Sequence, residues 1–357
     1  MFGFLRKKVS IQEIADHTPW CVDFVRIRKN TLEIRGWAVN PSVQQDVTFT
    51  VNGKVFDTVE YPLTRKAIGR LFWFVKNSAQ SGFKCTTTLS GDEDILEFCF
   101  VDNATLKPLN VDQKYYFRRV FDEPVPLPPA ANRNRVHGSE NESAFRTEGY
   151  STFRKLDDAL KSYTDKTFEN AAHILDWGCG CCRVSRYFTT MSHGELHGID
   201  IDENNVAWCT QNMPFGEFSS VPLHPPTHLP DSKFDVLFGI SVFTHLKEND
   251  HFAWLDELAR ISVDDAILLM TTHGRTTAGR TGMTDKVYRD WHAKGFMDYG
   301  ANSNLSGAIP DEEYYRNVFH TRKYIDTYWT KHFTIVDVLE GCIGNHQDLV
   351  IMRRNRR

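Results

Sequence analysis

The residues best suited to chemistry in this sequence surround a short glycine-rich turn. An apolar run over residues 173–177 leads into Gly178 and Gly180, and residues 184–189 then predict a helix. In parallel sheets, ligands bind beyond the carboxyl ends of the strands, where glycine lets the backbone approach them closely. We therefore expect this turn to cradle a cofactor.

Two carboxylates near the turn indicate the charge of that cofactor. Asp200 ends the next apolar run, twenty-two residues after Gly178, and can accept hydrogen bonds from both hydroxyls of a ribose. Asp176 precedes the turn, where an anion would repel the pyrophosphate of a dinucleotide. The third glycine of the dinucleotide fingerprint is also missing from residues 181–184. An amine and a sulfonium suit the same place, so the pattern favours S-adenosylmethionine.

The order of these runs resembles that of the class I S-adenosylmethionine-dependent methyltransferase superfamily over about residues 145–354. The resemblance implies an α/β, Rossmann-like fold with a seven-stranded, mostly parallel sheet whose last strand is antiparallel. The runs that carry it are the first motif at 175–180, the acidic strand end at 198–200, the fourth strand with its loop at 229–246, and a closing hairpin at 333–339 and 347–352.

The same resemblance implies a set of cofactor contacts. The methionine end would lie at Asp176 and Gly178, the ribose at Asp200, and the sulfonium near residues 239–241. The full implied set is Asp176, Gly178, Gly180, Asp200, Ile201, Gly239 and Ser241.

Two other chemistries are weaker interpretations of the same motif. A nicotinamide-dependent oxidoreductase is disfavoured by the missing third glycine and by the closing hairpin. Cys179 and Cys182 are spaced as Cys-x-x-Cys, but zinc needs about four ligands and no second cysteine pair exists. We therefore predict no metal.

Histidines follow several predicted strands at the edge where the cofactor would lie. A hydroxyl acceptor must lose a proton, and a neutral imidazole is a suitable base near pH 7. His245 follows the fourth strand and His273 ends the fifth, so we predict that one of them is catalytic. His320 and His346 are predicted to bind substrate. The alternative for each histidine is a structural role.

A long insertion separates the fifth and sixth strands, over residues 274–321. Loops of this length are often lids or binding loops. Aromatic residues make up 13% of the chain, and several fall here. We predict that Tyr299, Tyr314 and Tyr315 bind the acceptor, because rings with a polar edge stack on sugars or planar molecules. The alternative is that the rings only anchor the loop.

The first part of the chain has a different pattern. Short alternating runs and a turn at Asn52 and Gly53 predict an all-β sandwich domain over residues 20–121. A tail (1–19) precedes it, and a proline-rich, polar linker (122–144) separates it from the methyltransferase-like domain (145–357).

Short motifs at residues 36–41, 51–53 and 81–83 are similar to a β-domain that accompanies bacterial polysaccharide-modifying enzymes. That similarity implies a sugar hydroxyl of a glycan or its precursor as the acceptor. The open alternatives are a docking or dimerisation role for this domain, a small molecule with a hydroxyl, carboxylate or amine as the acceptor, and a non-catalytic glycan-binding or scaffold protein.

Composition limits the other partners. A net charge of −4 and the lack of a lysine-rich tract argue against nucleic acid. The longest apolar runs are far shorter than the ~20 residues that cross a bilayer, and eight sparse cysteines suggest reduced thiols, so we expect a soluble, cytoplasmic protein. Basic residues at 6–8 and 353–357 are candidates for peripheral contact with an anionic membrane.

Overall fold

The computed structural model describes residues 9–16, 20–42, 46–91, 93–109, 114–119, 124–303, 311 and 313–357. The basic segment at residues 6–8 lies outside this set. No helix among the described residues is long and apolar enough to cross a bilayer.

The N-terminal part of the chain forms two antiparallel sheets. Its elements are a 3-10 helix (Ile11–Asp16), strands β1 (Trp20–Arg28), β2 (Thr31–Ala38), β3 (Val47–Val51), β4 (Lys54–Val55) and β5 (Thr58–Thr64), helix α1 (Lys66–Leu71), and strands β6 (Gln80–Thr88), β7 (Ile95–Asp102), β8 (Lys107–Pro108) and β9 (Tyr115–Arg118). One sheet has the order β1-β2-β6-β5, and the other has β4-β3-β7-β8 with β9 also paired to β7. The ring centroid of Phe49 on β3 lies 5.0 Å from that of Phe83 on β6. The two sheets therefore share one core.

The predicted hairpin between β3 and β4 is confirmed. Val47, Phe49 and Val51 are buried while the residues between them are partly exposed, which is the alternation of a half-buried strand. Asn52 and Gly53 have φ of 48° and 74°, as a type I′ turn requires. The sequence did not predict β5 or α1.

The prediction of an extended linker at 122–144 is wrong over its second half, which contains helix α2 (Ala130–His137). Prolines 128 and 129 precede the helix, and Gly138 ends it in the left-handed conformation with φ of 70°. The helix has no apolar stripe because its buried side chain is Arg133, which donates hydrogen bonds to Pro128 O and Glu140 O. Hydrophobic periodicity therefore gave no signal for it.

The rest of the chain alternates between helices and strands. Its elements are α3 (Glu142–Tyr163), β10 (His173–Trp177), a 3-10 helix (Ser185–Thr190), β11 (Glu195–Asp200), α4 (Glu203–Asn212), β12 (Gly216–Ser220), β13 (Phe234–Gly239), α5 (Glu248–Ile261), β14 (Ser262–Thr272), α6 (Arg275–Arg280), α7 (Asp285–Lys294), β15 (Phe296–Ala301), β16 (Arg316–His320), α8 (Arg322–Tyr328), β17 (Phe333–Ile343) and β18 (Gln347–Arg354).

Seven of these strands form one sheet in the order β12-β11-β10-β13-β14-β18-β17. Strands β10 to β14 run parallel, whereas β18 is antiparallel to both of its neighbours. The central strands are buried on both faces, as expected for a parallel sheet covered by helices. The predicted Rossmann-like fold with its closing hairpin is confirmed.

The helix predicted after the glycine turn is a single 3-10 segment, Ser185–Thr190. The hydroxyls of Thr189 and Thr190 donate hydrogen bonds to carbonyl oxygens three residues earlier. Such side-chain bonds compete with the regular pattern of an α-helix.

The β-sheets at the N-terminus pack against the insertion that follows β14. Trp37 and Phe72 from the N-terminal part share a buried apolar cluster with Tyr288, Trp291 and Phe319 from the insertion. The insertion is therefore partly a structural bridge, and several of its aromatic rings serve that purpose.

Candidate functional site

The turn after β10 requires glycine at two positions. Gly178 and Gly180 have φ of 74° and 52°, which side chains rarely tolerate. A Cβ at Gly178 would lie 2.4 Å from Val242 Cγ2, and one at Gly180 would lie 2.7 Å from Val136 Cγ2. The predicted tight turn is confirmed, and both glycines line a cavity above it. We call this space the turn cavity.

Asp200 fastens the turn to the end of β11. Its Oδ2 accepts a 2.7 Å hydrogen bond from the amide of Gly180, and its Oδ1 accepts one of 2.8 Å from the amide of Asp202. Burial raises the pKa of Asp200 to about 6. Each carboxylate oxygen has a second lone pair, so Asp200 can still accept hydrogen bonds from a ligand in the turn cavity.

The other residues of the implied cofactor set divide into two groups. Ile201 and Ser241 line the turn cavity. Asp176 does not line it: its carboxylate is buried behind the turn, accepts a 2.5 Å hydrogen bond from Ser185 Oγ, and has its pKa raised to about 7 by burial. Gly239 lies below the cavity, where a Cβ would be 2.8 Å from the ring of Trp177. Asp176 and Gly239 therefore support the walls of the turn cavity without lining it.

Helix α2 covers one side of the turn cavity, and the sequence interpretation missed it. Arg135 and Val136 line the cavity. Arg135 Nη1 donates a 2.6 Å hydrogen bond to Asp202 Oδ2, and Asn132 Nδ2 donates one of 2.8 Å to Asn205 Oδ1. These contacts tie α2 to the start of α4. The proline and glycine at the ends of α2 were the available sequence signal.

Tyr314 and Tyr315, which were predicted to bind the acceptor, line the turn cavity from the insertion. The hydroxyl of Tyr314 donates a 2.5 Å hydrogen bond to Leu223 O and accepts one of 3.3 Å from Trp254 Nε1. Tyr299 is 48% exposed and packs on Phe319, so the structure does not bring it to the cavity.

The two predicted catalytic histidines are neighbours, but neither lines the turn cavity. His245 stacks on Tyr315 at 4.1 Å between ring centroids, and its Nδ1 donates a 2.5 Å hydrogen bond to Arg316 O. Its ring lies 5.9 Å from that of His273. Burial lowers the pKa of His245 to about 4 and holds that of His273 well below its usual range, so both rings are neutral at pH 7.

The two histidines predicted to bind substrate lie in different places. The ring of His346 is 5.3 Å from that of His273, so it joins the same group. His320 instead pairs with His251, with 2.9 Å between their Nε2 atoms, and lies away from the turn cavity.

A second cavity, of about 250 Å³, lies between the N-terminal sheets and the seven-stranded sheet, and we call it the interdomain cavity. His346 and Gln347 line it. Ile240 and Ser241 line both cavities, so the loop after β13 borders both spaces. Gln347 Nε2 donates a 2.7 Å hydrogen bond to Ser241 Oγ and fixes this shared wall.

The Cys-x-x-Cys pattern belongs to the packing below the turn. Cys179 and Cys182 lie in a buried cluster with Cys209 and Met213, and the sulfur atoms of Cys182 and Cys209 are 3.0 Å apart. One group of described side chains has the spacing of a metal site: His173, Glu195 and His197, whose ligand atoms lie within 4.8 Å of one another. This group lies on β10 and β11, away from the turn cavity.

The C-terminal basic residues are mostly held by the domain itself. Arg354 is buried and donates hydrogen bonds to Ala259 O and His332 O, while Arg353 pairs with Asp165. Arg356 pairs with Asp265. These residues therefore do not form a free basic tail.

Comparison with protein families identifies a known domain in the segment that contains the glycine turn. Residues 174–264 match a family model described as a methyltransferase domain. The matched segment contains the glycine turn, Asp200 and strand β13. Residues 174–264 of the chain thus contain a methyltransferase domain.

Solved structures that match the chain include several methyltransferases. An S-adenosylmethionine-dependent methyltransferase from Mesorhizobium loti is 15% identical with a TM-score of 0.42, and the match covers 55% of this chain and 96% of that one. Magnesium protoporphyrin IX methyltransferase from Synechocystis, solved with bound SAH, is 16% identical with a TM-score of 0.42, covering 63% and 93%. An S-adenosylmethionine-dependent methyltransferase from Methanosarcina mazei is 18% identical with a TM-score of 0.37, covering 56% and 97%.

Proposed function

We propose that this enzyme transfers a methyl group from S-adenosylmethionine to a sugar hydroxyl of a bacterial glycan or glycan precursor in the cytoplasm. The observation that carries the proposal is that Ile240 and Ser241 line both the turn cavity and the interdomain cavity. A cofactor in the turn cavity and a hydroxylated acceptor in the interdomain cavity would face each other there. Methyl transfer is an in-line displacement, and alignment of the two reactants supplies much of its acceleration.

The turn cavity fits the cofactor chemically. The glycine turn leaves the space that two Cβ atoms would fill, and Asp200 offers carboxylate lone pairs to a ribose. When bound, S-adenosylmethionine supplies an electrophilic methyl group on a positively charged sulfur. The apolar side chains of Ile201, Val221 and Leu246 line the same cavity and keep water away from the reacting centre.

His346 is the histidine placed to accept the acceptor's proton. It lines the interdomain cavity, and its Nδ1 is buried without a hydrogen-bond partner among the described residues. Burial lowers its pKa to about 3, so the ring is neutral at pH 7. With the ring proton on Nε2, Nδ1 can accept a hydrogen bond from a hydroxyl and take its proton as the methyl group transfers. We therefore move the base role from His245 and His273 to His346.

The sugar acceptor is supported by two features. The motifs of the N-terminal domain are similar to those of a β-domain found with polysaccharide-modifying enzymes. The interdomain cavity also carries many polar side chains, among them Glu148, Ser151 and Gln347, which are suited to hydroxyl groups.

A methyl-transfer screen tests the proposal. The enzyme would be incubated with S-adenosylmethionine carrying a tritiated methyl group and, in parallel, with nucleotide sugars, lipid-linked glycans and small phenols. We expect label on a sugar oxygen, identified by mass analysis of the product. Label on a phenol, a carboxylate or an amine would overturn the sugar assignment, and no transfer to any acceptor would favour a non-catalytic binding protein.

A further inference from the structure

The interdomain cavity contains several buried polar atoms that the protein does not satisfy. Arg183 Nε, His346 Nδ1 and Gln347 Oε1 are buried and have no hydrogen-bond partner among the described residues. All three residues line this one cavity. Buried polar groups are nearly always paired in folded proteins, so three unpaired atoms around one space indicate a polar ligand.

Arg183 is the most informative of the three. Within the described part of the chain, its guanidinium makes no hydrogen bond and no ion pair, although its Nε is covered. The backbone of Arg183 lies close to α3, and only glycine fits at position 149 of that helix, since a Cβ there would lie 2.3 Å from Arg183 O. A partly buried cation is costly without a partner, and a guanidinium binds carboxylates and phosphates through paired hydrogen bonds.

The charges around the cavity favour an anion. Arg280 also lines it, and it is fixed by hydrogen bonds from Nη1 to Gly344 O and Asn345 O. Glu148 is the acid in the lining, and its carboxylate already lies 3.5 Å from His137 Nδ1. Among the side chains that line the cavity, two arginines therefore stand against one acid.

The N-terminal domain completes this site. Cys21, Val22 and Tyr115 form the wall opposite the seven-stranded sheet. Arg280 places its guanidinium 5.4 Å from the ring of Trp37, which holds the insertion against the same domain. The wall that encloses the ligand therefore depends on both parts of the chain.

We propose that the acceptor binds in the interdomain cavity through an anionic group, a carboxylate or a phosphate, held by Arg183. This proposal rests on the proposed function, because the same acceptor presents its hydroxyl at Ser241 to the cofactor. The transferred methyl group bonds to the acceptor oxygen as its bond to the cofactor sulfur breaks, and the hydroxyl proton passes to His346.

The charge of the labelled product tests this directly. An extract of cells that make the protein would be treated with tritiated S-adenosylmethionine and the full-length enzyme, and the products separated on an anion exchanger at pH 7. We expect the label to be retained. Loss of retention after phosphatase would assign a phosphate, whereas loss after chemical reduction of carboxyl groups would assign a carboxylate.

The variant Arg183→Gln tests whether Arg183 binds the anionic group of the acceptor. We expect its KM for the labelled acceptor to rise at least tenfold, with affinity for S-adenosylhomocysteine and melting temperature unchanged, and Arg183→Lys to restore part of the loss. Arg322→Gln, on the exposed side of α8, is the matched control. A neutral product, or an unchanged KM in Arg183→Gln, would overturn the anion site while leaving the proposed function intact. No labelled product with any enzyme would overturn the proposed function itself.

Discussion

The amide of Gly180 donates a 2.7 Å hydrogen bond to the carboxylate of Asp200, so the glycine turn and the end of β11 are one unit. The carboxylate that we propose for the ribose therefore also fixes the turn that we propose for the rest of the cofactor. Ligand binding at Asp200 should therefore depend on the conformation of the glycine turn, and ligand binding at the turn should depend on Asp200.

A matched pair of glycine variants separates backbone strain from cavity blockage. Gly178 and Gly282 both have positive φ, of 74° and 66°, so alanine at either should cost about 1–2 kcal/mol of stability. Only the Cβ at Gly178 would meet another residue, Val242, at 2.4 Å beside the turn cavity. We expect Gly178→Ala to lose S-adenosylhomocysteine binding by calorimetry and Gly282→Ala to retain it. Equal binding by both variants would show that the turn does not hold the cofactor.

Helix α2 should contribute to cofactor affinity. Removing the 2.6 Å contact between Arg135 and Asp202 in Arg135→Gln loosens the cover of the turn cavity. Because the Arg135 side chain is partly exposed, we expect a loss of only about 1 kcal/mol, or roughly fivefold in affinity. Arg322→Gln serves as the control, and titration with S-adenosylhomocysteine measures the effect. An affinity equal to that of the control variant would argue against a covering role for α2.

The base assignment gives a prediction for three histidines. We expect His346→Ala to lower kcat about 10²-fold to 10⁴-fold at saturating substrates, and His245→Ala and His273→Ala to lower it much less. Since burial lowers the pKa of His346 to about 3, the kcat of the wild type should show no loss near pH 6.5 from imidazole protonation. Wild-type turnover in His346→Ala would exclude it as the base.

The buried carboxyl of Asp348 should make the free energy of unfolding depend on pH. Burial raises the pKa of this carboxyl to about 8, with the amide of Gly341 as its hydrogen-bond donor at 2.8 Å and with Glu340 and Arg275 as its charged neighbours. A raised pKa means that the folded protein binds more protons than the unfolded chain between about pH 4 and pH 8, so this group's contribution to stability is lost as pH rises through that window.

The variant Asp348→Asn removes this titration. We expect its free energy of unfolding in urea to decline less between pH 5 and pH 8 than that of the wild type, by at least about 1 kcal/mol. The exposed variant Asp326→Asn should show the wild-type slope. If the free energy of unfolding declined equally with pH in all three proteins, the pKa of Asp348 would not be raised in the folded state.

The central sheet and the glycine turn could be predicted because their signals are local. Apolar runs such as β13 and glycines at Gly178 and Gly180 are set by burial and by backbone conformation, which the sequence displays directly. The closing hairpin of β17 and β18 was visible for the same reason.

The environment of the histidines could not be predicted, because it depends on distant contacts. His245 Nδ1 donates a hydrogen bond to Arg316 O, 71 residues later in the chain, and the ring stacks on Tyr315 without lining the turn cavity itself. Helix α2 was missed because a buried arginine replaces its apolar face. The interdomain cavity required knowledge of how two parts of the chain pack, which no local pattern contains.

Calorimetric titration of the wild type and of Asp200→Ala with S-adenosylhomocysteine tests whether the turn cavity binds the cofactor. We expect micromolar binding to the wild type, no response to NAD, and at least a tenfold loss of affinity in Asp200→Ala, because one carboxylate would hold both ribose hydroxyls. No binding of S-adenosylhomocysteine to the wild type, or equal affinity in Asp200→Ala, would contradict it.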